Sequence, residues 1–172
     1  MAIKKIMEQA LNNQLKAESE SEYLYLSMSA YFESINLKGM AHWMYVQFQE
    51  EQTHKMKFFR YINERGGRIN FKDLKAPKLE WSSPLNVFEE TLEHEQQVTE
   101  LINNLVELAM KEKDYATYQF LQWYVSEQVE EEANVVDIIE NIKRVQNSAE
   151  GLYMLDKELA SRVFVDTTAT AV

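Results

Sequence analysis

The sequence predicts an all-α protein: a bundle of four long helices with one long crossover connection and a short fifth helix at the C-terminus. Three observations predict it. Apolar residues recur at three- and four-residue steps through four long segments, the period of a helix with one buried face. Only two prolines and four glycines occur in 172 residues, and none breaks those segments. One aperiodic stretch, 66–82, is long enough to travel the length of such a bundle.

The first helix, from about Ile3 to residue 35, carries Leu11, Leu15, Glu18, Tyr25 and Phe32 on one face. A short connection, Ser34 to Gly39, makes the second helix, roughly 39–64, antiparallel to the first. Its stripe of Met44, Phe48, Phe58 and Ile62 contains Glu51 and, one turn later, His54; Gly66-Gly67 ends it. Such a helix is ~39 Å long, whereas the extended residues of 66–82 reach up to ~55 Å. The connection can therefore return to the starting end, leaving the second and third helices parallel. Ser83 is a suitable N-cap and Pro84 a suitable first residue for the third helix, with Leu85, Phe88, Leu92, Glu95, Ile102 and Ala109 along its stripe. Asp114 can cap the fourth, whose stripe is Leu121, Tyr124, Gln128, Glu131, Val135, Ile138, Ile142 and Val145. After Asn147-Ser148 a fifth helix runs from Gly151 to about Arg162, and Asp166 to Val172 is expected to be a mobile tail. The whole of 1–172 reads as a single domain.

Composition narrows the function. With 28 acidic and 18 basic residues the formal net charge is −10, which disfavours nucleic acid and anionic membranes and favours cations. There is no cysteine, so disulfides, thiolate zinc sites and iron–sulfur clusters are excluded. No apolar run approaches the ~20 residues of a membrane span, and the N-terminus lacks a signal-peptide core, so the expectation is a cytoplasmic protein.

The polar intruders on the apolar stripes are the informative residues. Taking the helices as 3–35, 39–64, 84–111 and 114–146, their midpoints fall near 19, 52, 98 and 130. Glu18, Glu51, Glu95 and Glu131 each lie within about three residues of a midpoint, ~5 Å of axial rise. Midpoints of similar helices meet at one level whichever way each helix points, so the four carboxylates converge. A solvated stripe residue neutralised by a lysine is the ordinary alternative for any one of them, but Lys55 is the only obvious partner. Four unpaired buried carboxylates, at several kcal/mol each, would exceed a domain stability of ~5–15 kcal/mol. A pair of divalent cations about 3.5–4 Å apart removes the conflict, with Glu51-x-x-His54 giving one carboxylate and one imidazole to one ion and Glu51 the natural bridge. Oxygen-rich ligation without thiolate suits iron or manganese, and zinc could bind without redox chemistry.

At these residues the chain resembles the ferritins, specifically the haem-free bacterial and archaeal type. The resemblance covers residues 3–162, including Glu18, Glu51-Gln-Thr-His54, Glu95, FLQWYVSEQVEEE at 120–132 and GLYMLDKEL at 151–159. It implies a ferritin-like bundle with a ferroxidase centre, Glu18, Glu51 and His54 on one iron and Glu51, Glu95 and Glu131 on the other, with Gln128 nearby and Tyr25 beside the centre. It implies a third iron site at Glu50, Glu127 and Glu130, although acidic runs are ordinarily solvated faces. It further implies oxidation of Fe(II) to Fe(III) by dioxygen or hydrogen peroxide, and twenty-four subunits forming a hollow shell that stores ferric oxyhydroxide. Haem is not expected: bacterioferritins have a second Glu-x-x-His where this chain has Gln128-x-x-Glu131, and a haem-binding Met where it has Gln52.

His42 and His94 are expected to stay off the metal, and Trp43, Phe59 and Trp123 to serve packing. Two rivals remain, a di-iron or di-manganese oxidase acting on an organic substrate and a non-catalytic metal-binding bundle.

Overall fold

The structure, a computed structural model, describes residues 3–170, and for residues 169 and 170 the backbone alone. Helices α1 (Lys5–Ser34), α2 (Lys38–Glu64), α3 (Pro84–Lys111), α4 (Tyr115–Val145) and α5 (Ala149–Leu159) follow one another, and a 3-10 turn, Thr167–Thr170, comes last. The expected tail is therefore partly built into the fold: Thr167 Oγ1 donates to Glu127 Oε1 at 3.3 Å. Residues 171 and 172 of that tail lie outside the described residues. The fifth helix starts earlier than Gly151 because Ser148 caps it, its Oγ accepting from Gly151 N at 3.0 Å, and it stops at Leu159 rather than Arg162.

The ends of the first three helices have a common chemistry. Asn36, Gly66 and Lys113 adopt φ of 62°, 69° and 55°. The next residue then donates back to the last turn, from Leu37 to Phe32 O at 3.0 Å, Gly67 to Ile62 O at 2.9 Å and Asp114 to Ala109 O at 2.8 Å. This Schellman closure satisfies carbonyls that a helix end leaves unpaired. Asp114 then starts α4 by accepting from Thr117 N at 3.2 Å. Arg65, just past α2, pairs with the same carboxylate at 3.0 Å, which ties two helix termini together.

Helix directions follow from two separate apolar clusters. One joins Tyr25, Met28 and Phe32 of α1, Met40 and Met44 of α2, Val87 and Phe88 of α3, and Val135 and Ile142 of α4. The other joins Met7 and Leu11 with Phe58, Ile62, Ile102, Ala109, Leu121 and Tyr124. The late part of α1 thus meets the early parts of α2 and α3 and the late part of α4, so α2 and α3 are parallel. The crossover that allows this runs along α1. Asn12 holds it at Arg68 O (3.0 Å) and Asn70 N (2.6 Å), Ser27 at Lys78 O (2.6 Å), and Tyr31 at Trp81 O (2.9 Å). Phe48, expected in the core stripe, is only half-buried and packs on Tyr45, their rings 5.5 Å apart.

α5 packs across the start of α2. The Asp156 carboxylate accepts from Met40 N at 2.9 Å, supplying a partner to an amide in the first turn of α2. The approach is close: a Cβ on Gly39 would stand 1.5 Å from Asp156 O.

Candidate metal centre

Between the two apolar clusters lies a polar layer to which all four long helices contribute. Glu18 comes from α1, Glu51 and His54 from α2, Glu95 from α3, and Gln128 and Glu131 from α4. None is more than 5% exposed. The three- and four-residue steps that place Leu11 and Leu15 inside also carry Glu18 inside, and the same holds for Glu51 between Met44 and Phe58.

These side chains form two compact groups that share His54. Glu18, Glu51 and His54 offer ligand atoms all within 4.8 Å of one another, and so do His54, Glu127 and Glu131. The imidazole lies between them, Nδ1 3.8 Å from Glu51 Oε2 and Nε2 3.9 Å from Glu127 Oε1. Trp123 and Tyr124 stand edge-on to the His54 ring, with centroids at 5.3 and 6.3 Å, and the Tyr124 hydroxyl donates to His54 O at 2.8 Å. Glu95 belongs to neither group. Tyr25 donates its hydroxyl to Glu95 Oε1, and Gln128 Nε2 reaches Oε2 at 3.1 Å.

Amide donors orient two of the other carboxylates. Gln14 Nε2 donates to Glu18 Oε1 at 2.8 Å and Gln47 Nε2 to Glu131 Oε2 at 2.6 Å. Sequence reasoning missed both glutamines, although each stands four residues before a ligand candidate, Gln14 before Glu18 and Gln47 before Glu51. Among the described residues, Glu51 Oε2 has no hydrogen-bond partner, although it is buried. Lys55 does not neutralise it, for Lys55 pairs with Glu22.

Crowding of acids in a dry layer has a clear electrostatic result. Burial, reinforced by the Glu51 charge, pushes the Glu18 carboxyl well above its ordinary value. Burial and the neighbouring Glu95 charge do the same to Glu51 and Glu131. Without a cation these groups are held toward the protonated form, because desolvation and like charge both oppose ionisation. Hard oxygen donors with one imidazole and no thiolate fit iron or manganese, and the bare Glu51 Oε2 offers a donor that no protein hydrogen satisfies.

On the flank of this layer Glu50 and Glu127 are half-buried and Glu130 is exposed. Glu50 Oε2 lies 2.5 Å from Arg162 Nη2. The other histidines have protein partners: His94 Nε2 is 2.8 Å from Ser21 Oγ, and His42 Nε2 is 2.8 Å from Arg162 O.

A family profile described as the ferritin-like domain matches residues 8–145. The chain is 40% identical over 164 residues to the bacterial non-heme ferritin of Staphylococcus aureus, covering 95% of this chain and 98% of that one. The chain belongs to the ferritin family. A second relative, the non-heme ferritin of Staphylococcus haemolyticus, is 41% identical over 156 residues, 91% of this chain and 94% of its own. Among solved structures, an open-pore ferritin from the archaeon Archaeoglobus fulgidus superposes with a TM-score of 0.93 at 53% identity, covering 94% of this chain and 100% of its own. An engineered closed form of that ferritin gives 0.94 at 54% identity, covering 95% and 100%. In this ferritin the profile ends with α4. It contains every ligand candidate, but α5 and the residues after it, Arg162 among them, lie beyond it.

Proposed function

We propose that this ferritin stores iron: it oxidises Fe(II) to Fe(III) at the buried polar layer and sequesters ferric oxyhydroxide inside a hollow shell of twenty-four subunits in the cytoplasm. The observation that carries the reading is Glu51 Oε2, a carboxylate oxygen with no hydrogen-bond partner among the described residues, in a dry layer and grouped with His54 and Glu18. The substrate-binding set is Glu18, Glu51, His54, Glu95 and Glu131, with Gln128 and Tyr25 holding Glu95. An additional iron site at Glu50, Glu127 and Glu130 adjoins it, and haem plays no part. The names of the non-heme relatives support iron as the cation.

In this reading two Fe(II) ions displace the protons that burial keeps on Glu18, Glu51 and Glu131. Each ion gives up one electron, and dioxygen takes both with two protons to leave as hydrogen peroxide; peroxide itself is the alternative oxidant. Gln14 and Gln47 keep Glu18 and Glu131 facing inward as charge builds on the ions, and Tyr25 fixes Glu95. Because every donor lies in a layer sealed by apolar clusters at both ends, the ions meet few competing water ligands.

Stopped-flow absorbance after mixing the metal-free protein with Fe(II) and air tests this. The expected outcome is fast oxidation at two irons per chain followed by uptake of many more. Glu51→Ala and His54→Ala should lower the fast phase to the buffer rate with assembly intact; a parental rate in either removes those ligands. A depression of about 280 Å³ lined by Thr99, Ile102, Val125, Gln128, Val129 and Glu132 gives some room to an organic-substrate oxidase. Saturation at two irons per chain would favour that second reading.

A further inference from the structure

Beyond α5 the chain does not leave the bundle. Residues 160–168 lie against α2 and α4, and their polar contacts fall on the residues that border the ligand layer. Arg162 Nη2 meets Glu50 Oε2 at 2.5 Å, while the guanidinium stacks over the Trp43 ring at 4.3 Å and Nη1 reaches Trp43 O at 3.4 Å. Arg162 O is paired with His42 Nε2, so the backbone at this point is held independently of the ion pair. Further along, Thr167 Oγ1 donates to Glu127 Oε1. Both carboxylates contacted by this strap are members of the acidic cluster assigned above to a third iron.

Arg162, Glu50, Glu127, Glu130, Glu131 and Asn134 help to line a cavity of about 230 Å³. At ~30 Å³ per water molecule this is room for a hydrated cation. A guanidinium already fills part of the cation's role there, since its charge and two-pronged donor geometry match a carboxylate.

We propose that Arg162 is a built-in competitor for the third iron site, its guanidinium holding Glu50 until an incoming divalent cation displaces it, so that the 160–168 strap sets the affinity of the Glu50–Glu127–Glu130 cluster. The exchange replaces a single positive charge at Glu50 with a double one, so the arriving ion is favoured by the neighbouring Glu127 and Glu130 carboxylates. Among the described residues Arg162 itself contacts neither Glu51 nor His54; the cluster meets His54 only through Glu127, whose Oε1 is 3.9 Å from Nε2. The two side chains keep 18% and 19% of their surface exposed, so a cation can reach the pair from solvent. The His42 contact to Arg162 O still anchors the strap after the guanidinium lets go, but the strap is then held by fewer contacts.

This inference rests on the third-site reading, and the test separates the two. Anaerobic calorimetric titration of the metal-free shell with Mn(II) resolves the ions bound per chain. Arg162→Gln should bind the flanking ion about tenfold more tightly, ~1.4 kcal/mol, with the other two affinities unchanged. Arg162→Lys, which keeps the charge, should stay near the parent, and Glu130→Gln added to Arg162→Gln should cancel the gain. Hydrogen exchange in the unaltered protein needs no substitution: amides of 160–168 should exchange faster with saturating Mn(II) than without. Equal flanking-site affinity in Arg162→Gln and the parent, or strap exchange that Mn(II) leaves unchanged, overturns the competitor while the third site stands. If neither protein binds a third ion, the acidic-cluster reading falls and the competitor falls with it.

Discussion

Glu18, Glu51 and Glu131 carry a pH dependence whose sign is fixed by their surroundings. Burial and like charge raise their carboxyl pKa values above the ordinary 4.5. In the metal-free protein the folded state therefore holds more protons than the unfolded chain above that pH. Their contribution to stability is fully present below the unfolded value and declines as pH rises through the folded one. A bound cation takes the place of those protons, so its stabilising effect grows with pH. Thermal unfolding at about pH 5 and about pH 8 should show a larger Mn(II)-induced rise in Tm at the higher pH. Glu18→Gln should narrow the difference. Gln47 offers a second check at this scale. Gln47→Leu removes the donor to Glu131 Oε2 while keeping the volume, and cation affinity should fall about tenfold, in line with other ligand-orienting hydrogen bonds.

At the scale of elements, Asp114 is the most connected cap. It accepts from Thr117 N at 3.2 Å and Thr117 Oγ1 at 2.9 Å, and it pairs with Arg65. Asp114→Ala should cost about 2 kcal/mol, one part for the cap and one for the exposed need of Arg65, read as a lower midpoint in chemical denaturation with an unchanged slope. The helices themselves were legible because one periodic stripe carries both the apolar core and its acidic interruptions; the same count that buries Phe58 buries His54. The crossover was legible from length alone, since 66–82 is too long for a tight turn. The glutamine donors were not. Gln47 is visible one turn before Glu51, but its partner is Glu131 on another helix, and no local spacing encodes that. The strap was illegible for a related reason: residues 160–168 have no period, and only the fold brings Arg162 to Glu50.

For the whole molecule, a net charge of −10 spread over a bundle suits a protein whose cargo is cationic. The apolar residues Tyr115, Val129, Tyr153, Met154 and Val163 are exposed on the single subunit. Under the proposed function, size-exclusion chromatography with light scattering should give the mass of a closed shell of twenty-four chains, about twenty-four times 20.3 kDa, and iron loading should raise its density without changing its radius. A monomer or dimer that saturates with two ions would remove storage from the account.

The contact between Gly39 and Asp156 has a reach well beyond its own neighbourhood. Here the backbones of α2 and α5 come within a distance that any side-chain carbon would forbid. Glycine thereby fixes how deeply the fifth helix seats, and with it the point from which the last stretch of chain departs toward the acidic flank. A methyl group at that position would lift the helix by roughly the width of an atom, and a lever rooted in it would swing its far end away from Glu50. The absence of one carbon early in the second helix thus determines where a positive charge is delivered near the end of the chain.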